Sequence, residues 1–177
     1  MNDHNYSNSG IIIKVKCSVL EFIEKESWLI ENNLSEKCIT HQLAIYIANH
    51  FPDYNVDCEY NRKATERKTI RILKQRFKDN NLLKNKALSE LEKEILERAV
   101  FPDIIIHKRG EKSNLCVIEV KKSNSRIQHQ EYDYLKLESY TDKENDFNYQ
   151  LGIFLLLNDN SPSYKYFENG KMTDNNV

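Results

Sequence analysis

Apolar side chains first recur at helical spacing: Val15, Val19, Phe22, Ile23, Leu29 and Ile30 predict an amphipathic helix from Ile13 to about Ile30. A second helix is predicted from near Ser35. Ile39, Leu43, Ile47 and Phe51 form its stripe, and Pro52, which has no amide hydrogen to donate, stands just past its end. The period then changes, because Val56, Cys58 and Tyr60 alternate with Asp57 and Glu59 and so predict a strand within Tyr54 to Tyr60. Leu83, Ala87, Leu88, Leu91 and Ile95 return to helical spacing up to about Arg98. Two β-type runs follow, Phe101 to His107 and Leu115 to Lys121, with Arg109-Gly110 and Ser113-Asn114 between them as in a hairpin loop. Ser125 and Gln128 have the spacing of a capping box and predict a helix through about Tyr140. Tyr149 to Leu157 reads as a buried strand, and Tyr164 to Phe167 as a short edge strand.

The expected order is therefore α-α-β-α-β-β-α-β, an α/β fold with a central mixed sheet flanked by helices. With 177 residues, 4 Gly, 3 Pro and no repeat or linker, the expectation is one domain over residues 11–168. Residues 1–10 and 169–177, both rich in Asn, are expected to be flexible tails. No apolar run approaches the roughly 18 residues that span a bilayer, and Met1 to Gly10 lacks the basic-then-apolar order of a secretory signal, so a cytoplasmic protein without membrane association is expected. Cys17, Cys38, Cys58 and Cys116 are widely spaced with no CxxC pair, which argues against zinc and for buried reduced thiols.

The net charge of -1 excludes a uniformly basic nucleic-acid binder, so any such surface must be local. One local concentration exists. Between Asn61 and Lys78 eight cationic side chains, Arg62, Lys63, Arg67, Lys68, Arg71, Lys74, Arg76 and Lys78, face a single acid, Glu66. They suit phosphate contact without base reading. Ile70, Leu73 and Phe77 at spacings of three and four also fit an ordinary amphipathic helix with a cationic outer face.

Asp103 interrupts an otherwise buried-looking strand, where a carboxylate is costly without a partner. In Val117-Ile118-Glu119-Val120-Lys121, alternation puts Glu119 and Lys121 on one face of a strand and Ile118 and Val120 on the other. If the two strands pair as a hairpin, Asp103 and Glu119 converge. A hard divalent cation removes their repulsion, and Lys121 stands beside it, able to stabilise negative charge or to orient or deprotonate a water.

Pro102-Asp103 followed by Glu119-Val120-Lys121 resembles the signature of the PD-(D/E)xK nuclease superfamily, the restriction-endonuclease-like fold. The resemblance extends to Cys58-Glu59-Tyr60-Asn61-Arg62, similar to an additional acidic motif of small members, and to Asp133, Lys136 and Leu137 on the following helix, covering about Tyr54 to Leu157. It implies a Mg²⁺- or Mn²⁺-dependent phosphodiesterase acting on DNA or RNA. Asp103 and Glu119 would bind metal, Lys121 would assist the attacking water, and Glu59 would be a further ligand or base. Arg62, Lys63, Arg67, Lys68 and Lys136 would contact nucleic acid. Gln130 and Tyr134 form a QxxxY pair that resembles a motif of the RecB-like branch, and His107 lies on the face expected for Asp103. The alternative is a nuclease-fold module that binds nucleic acid or a protein without cutting, in a defence or mobile-element system. A homodimer or a partner protein is compatible with either.

Overall fold

A computed structural model describes residues 6–60, 101–111, 114–158 and 161–173, together with the backbone of Arg62–Lys63, Glu66–Arg67, Thr69–Leu73 and Ile95–Ala99. Its core is a six-stranded mixed sheet with helices on both faces.

Helix α1 spans Asn8–Glu31, with Ser7 as N-cap accepting a hydrogen bond from the Gly10 amide. Its first turn lies inside the stretch expected to be a tail, and even Tyr6 packs edge-on against Phe51. Helix α2 spans Glu36–His50, and Ser35 caps it through the Cys38 amide. Its end before Phe51 and Pro52 matches the sequence reading, because Pro52 can supply no helical donor.

Strand β1 is Asn55–Cys58; β2, Arg62–Lys63, pairs antiparallel with β3, Glu66–Arg67, and β4, Thr69–Leu73, pairs antiparallel with β5, Ile95–Ala99. These pairs correct two expectations. Thr69–Leu73 is strand, so Ile70 and Leu73 do not line a cationic helix, and the end of the helix expected through Arg98 is strand as well. Residues 74–94, with the remainder of both expected helices, lie outside the described residues.

Strands β6, Ile104–His107, and β7, Asn114–Lys122, form the expected antiparallel hairpin. Helix α3, Ile127–Thr141, then crosses to β8, Leu151–Leu157, which runs parallel to β7. Its N-cap is Arg126, with no side-chain cap bond, so Ser125 and Gln128 do not form a capping box; the Ser125 hydroxyl instead reaches the Arg126 carbonyl at 3.5 Å. Strand β9, Ser163–Glu168, is not an edge, because β10, Lys171–Thr173, pairs outside it and orders part of the expected C-terminal tail. The strand order is β1-β6-β7-β8-β9-β10.

Alternation sorts the sheet into two faces. Ile104, Ile106, Cys116, Ile118, Val120, Ile153 and Leu155 meet α1 and α2, whereas Ile105, Val117, Phe154 and Phe167 meet α3. The second contact is close: a Cβ on Gly152 would lie 3.1 Å from Thr141 Cγ2 and 3.3 Å from Leu137 Cδ2, so a side chain there would push α3 off β8. Of the four free thiols only Cys116 is buried; Cys17 and Cys38 are exposed, since both lie on outward helix positions that the apolar-neighbour rule does not distinguish. Among the described residues no helix is long and apolar enough to cross a membrane.

Candidate active site

The β6–β7 register pairs Ile104 with Ile118, and one step further it sets Asp103 across from Glu119 on the α3 face. Asp103 precedes the first ladder residue, and its Oδ2 accepts the Val120 amide at 2.8 Å, which fixes the carboxylate against β7. Glu119 is fully buried. Its Oε2 accepts from Lys136 Nζ at 2.6 Å, while its Oε1, also buried, has no hydrogen-bond partner among the described residues. Lys136 also donates to Asp133 Oδ1, one helical turn away, at 3.0 Å.

Lys121 stands at the tip of β7 between the helical layers. Its Nζ is 3.2 Å from Asp133 Oδ2 on α3, 3.3 Å from Glu36 Oε2 in the first turn of α2 and 4.0 Å from Asp103 Oδ2. The cluster thus gathers four carboxylates, Glu36, Asp103, Glu119 and Asp133, against two ammonium groups, Lys121 and Lys136, a formal excess of two negative charges. It meets solvent at Glu36 and at Asp103, whose side chains are 39% and 27% exposed.

Burial dominates the protonation chemistry. It raises the Glu119 carboxyl well above the usual range, with Asp103 and Asp133 adding and Lys136 opposing. Burial also raises Asp103, although Lys121, Lys136 and the Val120 amide pull the other way. For Lys121 burial acts downwards, but Asp133, Asp103, Glu36 and Glu119 outweigh it and raise the ammonium above its ordinary value. Lys136 behaves alike. These acidic neighbours hold Lys121 as an ammonium, a form that stabilises negative charge or orients a water.

Glu59 is held apart from this cluster. It follows β1 in the left-handed region, at φ 49°, with its amide donating to the Asp103 carbonyl at 3.2 Å, and its carboxylate pairs with Lys37 at 2.8 Å. That pair is largely exposed and lies near enough to Asp103 for the Asp103 charge to act on Lys37. Lys136 is corrected, because it is buried against Glu119 and Asp133 where no phosphate reaches it. Arg62, Lys63 and Arg67 lie on β2 and β3, for which only the backbone is described, and Lys68 lies outside the described residues. Gln130 donates to the Ser125 carbonyl, and Tyr134 packs edge-on against Phe154, so the QxxxY pair serves helix entry and core. Asp133 is the residue that the sequence placed only in a pattern and that the structure puts between both lysines; its signal was an acid three residues before a lysine on a helix following the Glu-x-Lys strand.

A second charged group occupies the opposite end of β6 on the same face. His107, which is buried, lies 2.8 Å from Asp57 Oδ2 on β1, and Arg109 grips the same carboxylate through Nε at 2.8 Å and through its second nitrogen. The Arg109 hydrogen bond holds Asp57 below the usual carboxylate range, with His107 assisting and burial opposing. His107 is therefore part of a tie between β1 and the hairpin, and it does not approach Asp103. On β1 the Cys58 thiol is pushed up to about 11 by burial and neighbouring carboxylates, which leaves no thiolate nucleophile there.

Asp103 and Glu119 are hard-oxygen groups of the kind that Mg²⁺ or Mn²⁺ would take. Magnesium is usually held by one or two carboxylates, the rest of its octahedron coming from water and substrate phosphate. The Glu119 Oε1 is a buried acceptor without a hydrogen-bond partner among the described residues. Among the described residues no group of three or more His, Cys, Asp or Glu is placed so that it could hold a metal ion. Comparison with family models, curated proteins and solved structures returns no match for the chain.

Proposed function

We propose that the protein is a restriction-endonuclease-like hydrolase that cleaves nucleic-acid phosphodiester bonds with Mg²⁺ or Mn²⁺. The observation that carries this reading is the buried Glu119, whose Oε1 has no hydrogen-bond partner among the described residues, set across from a part-exposed Asp103 in an ion cluster that also holds Lys121. The fold is compatible with it: β1, β6 and β7 pair antiparallel in turn and α3 leads to β8 parallel to β7, a mixed sheet flanked by helices.

In this reading Asp103 and Glu119 hold the ion, which supplies Lewis acidity towards a phosphate oxygen and acidifies a water. The Val120 amide aims the Asp103 carboxylate. Lys136 donates to Oε2 of Glu119, which would leave Oε1 for the ion. Lys121, kept as an ammonium by its acidic neighbours, offsets charge that gathers on the phosphate. Binding of substrate then rests on cations outside this cluster.

One observation favours the non-cutting alternative: both lysines already satisfy oxygens of the carboxylates, so a scaffold needs no ion there. The experiment is incubation of the purified protein with single- and double-stranded DNA and RNA, with and without Mn²⁺, beside Glu119→Gln and Lys121→Ala, together with calorimetric titration of Mn²⁺. Mn²⁺-dependent cleavage lost in both variants is expected. Absence of cleavage and of heat at millimolar Mn²⁺ assigns the chain to the alternative.

A further inference from the structure

α3 runs along β7 in the opposite direction. Near its start Asp133 stands beside Lys121, Lys136 stands beside Glu119, and at its end Thr141 lies against Gly152, whose register partner is Val117. Tyr140, one helical turn beyond Lys136 on the same face, therefore comes within one alternation step of Glu119. Side chains on a helix lean towards its N-terminus, which directs the Tyr140 ring back over the turn that carries Lys136.

Two oxygens in this neighbourhood lack a match. Tyr140 is fully buried, and neither its hydroxyl nor Glu119 Oε1 has a hydrogen-bond partner among the described residues. One group is a donor and the other an acceptor, and each is costly to leave unsatisfied. Phe147 and Tyr149 hold the Tyr140 ring edge-on, at centroid distances of 5.4 and 6.1 Å, so it is packed in place. Burial, and after it the charge of Glu119, pushes the phenol well above its ordinary range, so the hydroxyl keeps its proton to donate.

We propose that Tyr140 is a positioning residue for Glu119, its hydroxyl donating to a buried water that in turn donates to Oε1. The two oxygens do not bond each other directly, and one bridging water satisfies both. A carboxylate oxygen has two lone pairs, so the bridge takes one and leaves the other for the proposed ion; carboxylates that ligate metals are commonly fixed by such hydrogen bonds. The inference rests on the nuclease reading only for that consequence, since the bridge belongs to the chain with or without an ion.

The test is urea unfolding of the full chain without divalent ion, in a cycle of Tyr140→Phe, Glu119→Gln and the pair, with carboxyl infrared spectra of the same proteins and fold checked by circular dichroism. Removing a hydroxyl that has no partner is neutral or stabilising, whereas removing one that bridges to a carboxylate should lower the folding equilibrium constant about tenfold. That loss is expected in Tyr140→Phe, and it should shrink to under about threefold when Glu119 is already Gln. The carboxyl band that Glu119→Gln deletes should shift in Tyr140→Phe, a signature that ring packing alone does not move. A neutral or stabilised Tyr140→Phe, an equal loss in both backgrounds, or an unmoved Glu119 band would overturn the proposal. Should Glu119→Gln not fold, the sign of the change in Tyr140→Phe decides alone. None of these readouts uses an ion or a substrate, so a parent chain that never cuts overturns the nuclease reading and leaves the bridge standing.

Discussion

Two charged clusters sit on the α3 face of β6, one at each end, and they differ in how completely their polar atoms are matched. At the His107 end, Asp57 meets Arg109 and His107, one carboxylate against one guanidinium with an imidazole alongside. At the Asp103 end, four carboxylates share two lysines, and a buried oxygen of Glu119 goes without a partner among the described residues. A matched pair ties β1 to the hairpin and needs nothing more. An unmatched one leaves a buried acceptor at a cost to stability, which the proposed ion would relieve.

The comparison is broken most decisively by activity. Glu119→Gln should lower Mn²⁺-dependent cleavage by more than about 100-fold while Asp57→Asn leaves it within a factor of a few, measured on a labelled oligonucleotide. If both variants cut like the parent, the distinction between the clusters fails. Next in size, Lys136→Met should destabilise the fold by about 3 kcal/mol in urea unfolding, because it strands Glu119 in a dry site. Adding Glu119→Gln should recover part of that loss.

The clusters should also respond oppositely to pH. Glu119 has a raised folded-state pKa, so its contribution is fullest below the unfolded value of about 4.3 and is lost as pH rises through the raised one. Glu119→Gln should therefore gain on the parent as pH increases. Asp57 is lowered, so its contribution is present above about 3.9 and vanishes as pH falls through its folded value. Asp57→Asn should cost about 1 kcal/mol near neutrality and nothing at the acid limit, followed by thermal unfolding across that range. The smallest effect belongs to Arg109→Ala, whose side chain is 58% exposed: under about 1 kcal/mol, shrinking further in added salt.

Much of the frame was legible because local chemistry and tertiary structure agree there. Ser35 and Pro52 bracket α2, and the alternation around Glu119 fixes which side chains share a face once β6 pairs with β7. Ile95 to Ala99 went the other way, since Ile95 closes a helical stripe in sequence while its partner Leu73 lies more than twenty residues upstream, and no local pattern reports that pairing. Lys136 was misread for a related reason. A lysine on a polar helix looks like a phosphate contact until the crossover from β7 turns it inward onto Glu119. Asp133 gave the sequence only a spacing, and its importance arises from two lysines that converge on it in three dimensions.

Lys121 reaches Glu36 in the layer over one face of the sheet and Asp133 in the layer over the other, so a single ammonium rivets both coverings to the strand tip. Any anion that draws this group forward slackens both seams together, and occupancy of the cleft would then be felt as looseness in α2 and α3 alike.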